Sequence, residues 1–371
     1  MDMDLHKKRG RNPVEQDKIS AYVRKKIISG KWTAGQKIPT RLELGRKFGV
    51  TVVTVQRTLA PLVSDGFLRV DMNKERGTYV NETPPHLFNY AHVFASVPSG
   101  NGWNMFFATQ LNVSKNLQKE LGIKIMPYFG LDGYPSRPDY IRLVNDIRKE
   151  RLAGIIFATS IHMIENTPAV LEGGIPRVII GSGNKKNGIP GITPTGHAFI
   201  EKSLDYLESR NCRRIAFILV PGLQGDFTDR LKISFARRKL VFVPQWHQVC
   251  NLEYAEAAAN VVRLLMSLPK DGRPNAILVG DDNLIEPVCE GLKLAGVKVP
   301  GEVEIVSHCN FPRTSMPSLP VKFIGYDIHG LMLGCIEILK LQKSSGKIAQ
   351  ANFIDACTDE EYALLRSSKK I

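Results

Sequence analysis

The sequence predicts an α/β chain in two parts: a small helical head closed by a hairpin, then a larger body of parallel sheets in two lobes. Three observations carry that expectation. The 371 residues exceed one ordinary domain. The charge is uneven, because residues 1–80 hold 17 Lys or Arg and 8 Asp or Glu, a net +9 of the chain's +14. From about residue 90 onward, apolar runs of strand length alternate with helix-length amphipathic segments, the pattern of βαβ units.

Composition excludes several classes. A content of 43% hydrophobic and 23% charged residues is that of a soluble globular protein. No apolar run reaches the eighteen residues or so of a membrane span, and the basic residues 1–12 lack the apolar stretch of a secretory signal. The six cysteines (Cys212, Cys250, Cys289, Cys309, Cys335 and Cys357) are scattered with no C-x-x-C pair. Neither a zinc site nor a disulfide framework is therefore expected, and a reducing cytoplasm is the expected location. No metal, cofactor or catalytic residue is expected. The histidines show no ligand spacing, and a phosphate-binding loop, an H-E-x-x-H pair and a G-x-S-x-G elbow are all absent. Gly181-Ser182-Gly183 has no catalytic context, and the adjacent Asp281 and Asp282 point in different directions.

The head reads as three helices and a hairpin. Asn12-Pro13-Val14-Glu15 combines an N-cap, a proline at the first helical position and an acid at the third. Ile19, Val23 and Ile27 then repeat at i, i+4 and i+8, giving one apolar face that ends near Gly30. Thr40 and Glu43 form a capping box for a second helix stopping at Phe48-Gly49. Thr51 caps a third, with Val55, Leu59 and Leu62 inward, ended by Gly66. Two strands, Phe67–Val70 and Thr78–Val80, flank a polar turn. Together these make a winged helix-turn-helix, whose third helix enters the major groove of DNA.

The stretch from Ile28 to Val80 resembles the GntR family of regulators. It follows that family's I-x-x-G, P-G-x-x-L-P-S, L-A-x-x-x-G-V-S and T-V-x-x-A-L-x-x-L segments, with Ala34, Thr40 and Thr51 as conservative replacements. The resemblance covers about residues 15–80 and implies double-stranded DNA as partner. The expected DNA-binding residues are Arg41, Thr51, Val52, Val53, Gln56 and Arg57, with Lys74 and Arg76 in the wing. Gln56 is expected to pair with adenine, Arg57 with guanine or phosphate, and the valines with thymine methyls. Leu42, Val52 and Gln56 stand where the family commonly carries Arg, so the operator should differ from its usual one.

Residues 81–89, polar with two prolines, read as a linker. In the body the expected strands are 91–97, 123–128, 154–158 and 177–181, then 214–220, 276–279 and 303–307. Strands in such number divide best into two lobes, roughly 90–190 and 191–320, with the chain crossing back near its end. Ligands of parallel α/β sheets sit at the C-terminal ends of strands, here in the cleft between lobes.

The pieces AGIIFATS, IPRVIIGS, SLDYLESRNCRRIAFILVPG, DRLKISF, PNAILVGDDN and PSLPVKFIGYD are similar, in order and spacing, to the LacI/GalR effector domain, which is periplasmic-binding-protein-like (type I). A GntR head on such a body is the arrangement of arabinose-repressor-like regulators. The resemblance implies a homodimeric repressor on a pseudo-palindromic operator, released by a small polar effector of carbohydrate type. It places Arg230 and Asp281 at the ligand, with Trp103 and Phe106 in the first loop as flat covers for a sugar face. Cys309 stands where the family often has an acid, and His197 and Ala198 lie where a second acid is missing. Two alternatives follow from those losses and from the fold: a constitutive DNA-binding regulator with a degenerate sensor, or a carbohydrate-processing enzyme with a DNA-binding head.

Overall fold

The computed structural model describes residues 13–73, 76–221, 226–346 and 352–367. Two compact units are present: the chain up to Tyr90 together with Asn145–Gly154, and Ala91–Val144 together with Ile155 onward.

The head forms because its capping signals and its apolar spacing agree. Helix α1 (Pro13–Ile28) buries Ile19, Val23 and Ile27 and is followed by Gly30 at φ +70°. Helix α2 (Arg41–Phe48) begins with the reciprocal box: Glu43 N donates to Thr40 Oγ1 at 3.3 Å and Thr40 N donates to Glu43 Oε2 at 2.7 Å. The bonds that Thr40 N and the Thr40 hydroxyl donate to the Glu43 carboxyl hold it below its ordinary range. Gly49, at φ 67°, closes the helix in the left-handed region that glycine adopts at little cost. In helix α3 (Val52–Ser64), Thr54 N donates to the Thr51 cap at 3.2 Å, and Val55, Leu59 and Leu62 face inward. Strands β1 (Leu68–Asp71) and β2 (Gly77–Val80) pair antiparallel with Leu68 opposite Val80, so the first wing strand lies one residue later than expected and the second starts one residue earlier. One core joins Ile38, Leu44, Phe67 and Val80 to these helices. Within residues 81–89 the short helix α4 (Pro85–Phe88) places His86 in a buried stack on Phe67 at 5.9 Å.

The first sheet of the body runs β13-β7-β6-β5-β3-β4. Its strands are β3 (Asn89–Val93), β4 (Lys124–Tyr128), β5 (Gly154–Phe157), β6 (Arg177–Ile180), β7 (Gly191–Pro194) and β13 (Asn352–Ile354). Helices α5 (Met105–Leu121), α6 (Pro138–Arg148) and α7 (Pro168–Leu171) link them in sequence. The second sheet runs β14-β12-β11-β10-β8-β9. Its strands are β8 (Ile215–Leu219), β9 (His247–Val249), β10 (Ala276–Val279), β11 (Glu304–Phe311), β12 (Lys322–Asp327) and β14 (Cys357–Thr358). Helices α8 (Gly196–Ser209), α9 (Asp226–Arg237), α10 (Ala257–Met266) and α11 (Ile285–Leu294) pack with it, and α12 (Ile328–Ser345) and α13 (Asp359–Ser367) follow.

The central pairs β8·β10, β10·β11 and β11·β12 are parallel, as are β5·β6 and β6·β7, while β14 runs antiparallel to β12. Strands β5, β8 and β10 are buried along their whole length, which is why they read as unbroken apolar runs. Strand β11 extends four residues past its expected end, because His308 to Phe311 keep their register with Ile324 to Asp327. The chain thus enters the first sheet, crosses at β7 into the second, and returns through α12 to place β13 beside β7. Among the described residues no helix is long and apolar enough to cross a membrane. All six cysteines are buried and unbridged.

Candidate functional sites

In the head, the exposed end of α3 carries Thr51, Val52, Val53, Gln56 and Arg57, all on the surface, while Val55 and Thr58 point inward. Thr51 is occupied as the cap of α3. Arg41, at the start of α2, donates from Nη1 to Gln56 Oε1 at 3.2 Å, so the two expected readers are joined side chain to side chain. A surface hollow between α2 and the wing is lined by Lys37, Arg41 and Arg76, with Leu42, Val70 and Met72 beside them. Three cations around one hollow suit a phosphate backbone, where neutralised charge releases counterions. Lys74 lies outside the described residues.

In the body, a cavity of about 380 Å³ opens at the C-terminal ends of the parallel strands. Four aromatic rings line it: Phe106 on α5, Phe199 on α8, Phe227 on α9 and Tyr326 on β12. Asn104, Asp281, His308 and Asn310 supply the polar groups. Each is set by local structure. The Asn104 side chain caps α5, accepting from Phe107 N at 3.0 Å. Asp281 caps the short turn after β10, accepting from Asn283 N at 3.0 Å and from Asn283 Nδ2 at 2.6 Å. The neighbouring Asp282 turns the other way, and its Oδ2 accepts from Asn310 N at 3.1 Å and from Asn310 Nδ2 at 2.9 Å. Burial raises the Asp282 carboxyl above its ordinary range, helped by the Asp281 charge and opposed by His308 and the Asn310 bonds. Tyr326 donates its hydroxyl to Thr195 O at 2.9 Å and is pushed up by burial. Met105 N donates to Asn283 Oδ1 at 3.0 Å, tying the start of α5 to the Asp281 loop.

Of the ligand residues read from sequence, the structure brings Phe106 and Asp281 together in this cavity. Trp103 instead packs in a cluster with Phe94, Phe107 and Phe129, at centroid distances of 5.4, 5.7 and 5.8 Å, tilted on the first two and edge-on to the third. Arg230 is exposed on α9 and is not among the described residues lining the cavity, although Phe227, one turn earlier, is. Cys309 points away from it. Alternation along β11 sends His308 and Cys309 to opposite faces, and Cys309 lines a second cavity of about 340 Å³ with Met105, Arg313 and Phe323. Burial raises its thiol, which keeps it protonated and apolar. Asn310, one residue on, reaches the first cavity, as does Tyr326 in the GYD segment. Sequence reading missed both, and Asn104 with them. The signal for Asn310 was the polar residue ending the SHCN run; for Asn104 it was the cap before an apolar helix. Among the described residues no group of His, Cys, Asp and Glu could hold a metal ion.

A model of bacterial regulatory proteins of the gntR family matches residues 15–80, and one of the periplasmic binding protein-like domain matches residues 204–344. The chain is 24% identical over 324 residues to an arabinose metabolism transcriptional repressor of Geobacillus stearothermophilus, covering 77% of this chain and 79% of that one. A solved LacI-family regulatory protein from Chloroflexus aggregans superposes with a TM-score of 0.59 at 18% identity, over 72% of this chain and 96% of that one. A LacI-family regulator from Lactobacillus casei with bound glucose gives 0.54 at 18% identity, over 73% and 98%. The chain therefore joins a GntR-type helix-turn-helix head to a periplasmic-binding-protein-like α/β body.

Proposed function

We propose that the chain is a DNA-binding transcription repressor whose grip on its operator is set by a small effector held in the body. One observation carries this reading: a single chain presents both a cation-flanked helix end suited to the major groove and a cavity at the C-terminal ends of parallel strands. Arg57 and Gln56 face base edges; Arg41, Lys37 and Arg76 hold phosphates. The effector is a small carbohydrate. Flat rings such as Phe106, Phe199 and Phe227 cover apolar sugar faces, and the Asp281 carboxylate accepts from hydroxyls. The relative named for arabinose metabolism and the neighbour solved with glucose support that class.

The protein acts in the cytoplasm as a homodimer on a pseudo-palindromic site, because one winged helix covers too few base pairs for useful selectivity. Regulation needs the effector to bind one conformation better than the other, and a coupling of about 1–3 kcal/mol, some 5- to 150-fold, is typical. A mobility-shift titration of the full-length protein on a duplex it selects from a random pool tests this reading. Release from that duplex by one member of a pentose and hexose panel supports it. Indifference to the whole panel, with firm DNA binding, would leave a constitutive regulator instead.

A further inference from the structure

The surface of the head that faces DNA in the reading above is more apolar than phosphate binding requires. Leu42, Val52 and Val53 expose 51%, 41% and 57% of their surface and lie outside the head core. Val52 and Val53 stand four and three residues before Gln56, so all three share one helix face. Around them the charge is positive, from Lys37, Arg41, Arg57 and Arg76, which favours nucleic acid over an apolar protein surface as the occupant.

Gln56 is the amide within this patch, and its orientation is fixed. The Arg41 guanidinium has no acceptor, so the group facing Arg41 Nη1 at 3.2 Å must be the amide oxygen. Pairing with adenine needs that oxygen as well as the NH2. With the oxygen turned to Arg41, which takes one of its two lone pairs, Gln56 is not set for the two-point contact with adenine, and its NH2 suits a base that presents an acceptor. Thymine offers an acceptor, O4, next to a methyl group in the major groove.

We propose that the head reads thymine: Leu42, Val52 and Val53 pack on C5-methyl groups, and Gln56, oriented by Arg41, donates to O4. The proposal rests on the DNA-binding reading of the head and replaces the expected adenine contact of Gln56. It also separates thymine from 5-methylcytosine, which carries the same methyl but an N4 donor where thymine has O4.

The test uses the full-length protein and duplexes it enriches from a random-sequence pool. Resynthesis with 2′-deoxyuridine keeps O4 and the pairing and removes only the methyl. Each contacted thymine should then cost about fourfold in affinity, the factor carried by one buried methyl-sized group. The Val52→Ala, Val53→Ala double variant, altered only at exposed helix positions, should bind the thymidine duplex more weakly and lose most of its sensitivity to uracil. Arg41→Met should free the Gln56 oxygen and move the preferred base at one position from thymine to adenine in a fresh selection. Equal affinity for the thymidine and deoxyuridine duplexes would overturn the proposal while leaving DNA binding intact. An unchanged base preference in Arg41→Met would overturn the Gln56 assignment. Enrichment of no duplex at all would overturn the DNA-binding reading and this proposal with it.

Discussion

His92 lies on β3 with its side chain fully buried. Gln110 Nε2 donates to Ala158 O at 3.4 Å, so Gln110 Oε1 is left to accept from His92 Nε2 at 3.0 Å. His92 Nδ1 lies 2.9 Å from Ser114 Oγ, whose hydroxyl donates to Gln110 O at 2.9 Å. The ring lies wholly out of water, where the charged imidazolium would lose its hydration. Burial accordingly lowers the pKa from 6.5 to about 4, with the Gln110 bond opposing the shift. The unfolded chain therefore binds this proton first as pH falls. The stabilisation is complete above about 6.5, declines below it, and is lost by about pH 4. From pH 7 to pH 5 this one group removes about 2 kcal/mol of the stability of the body. Urea unfolding followed by circular dichroism at both pH values measures it, with His92→Gln as the control because an amide keeps partners for Ser114 and Gln110 without titrating. Other titrating groups, including the half-buried His247 that is also lowered to about 4, cancel in the difference between the two proteins. The wild type should lose about 2 kcal/mol more than the variant. Equal losses would refute the neutral buried imidazole.

Removing the α3 cap with Thr51→Ala deletes the bond from Thr54 N and should lower the stability of the head by about 1 kcal/mol, read as an earlier thermal transition of the head. Arg57→Ala, at an exposed position one turn into α3, should weaken binding to a selected duplex by about 1–3 kcal/mol, and unchanged affinity would remove Arg57 from the interface. In Gly325→Ala the new methyl would lie 1.7 Å from Cys309 O and 2.6 Å from its carbonyl carbon. Strands β11 and β12 must then part, so the body should melt several degrees lower, by about 2 kcal/mol or more.

Much of this was legible in the sequence. Thr40, Glu43 and Thr51 announced the starts of α2 and α3, because a cap is a local signal read over three or four residues. The unbroken apolar runs of β5, β8 and β10 announced parallel strands buried on both faces. Short edge strands escaped: β9, β13 and β14 have two or three residues each, too few for any periodicity. Strand β12 was seen as a motif and not as a strand, since its Lys322 and Gly325 interrupt the apolar pattern. The site was legible only in part, for the same reason. Asp281 and Phe106 sit on elements whose ends the sequence marks, whereas Asn310 and Cys309 differ by one residue and only Asn310 reaches the Asp281 cavity. Which of them meets a ligand depends on strand register that only the paired sheet reveals. The Arg41–Gln56 bond joins residues fifteen apart on two helices and has no local signature.

The central claim is that effector in the Asp281 cavity changes the affinity of the head for DNA. Its most direct test measures the dissociation constant of the full-length protein for a selected duplex, with and without the carbohydrate that binds it, in the wild type and in Asp281→Ala. The sugar should weaken wild-type DNA binding at least fivefold, and Asp281→Ala should bind the bare duplex as tightly yet need far more sugar for release. A sugar that binds the body while leaving wild-type DNA affinity unchanged would contradict it.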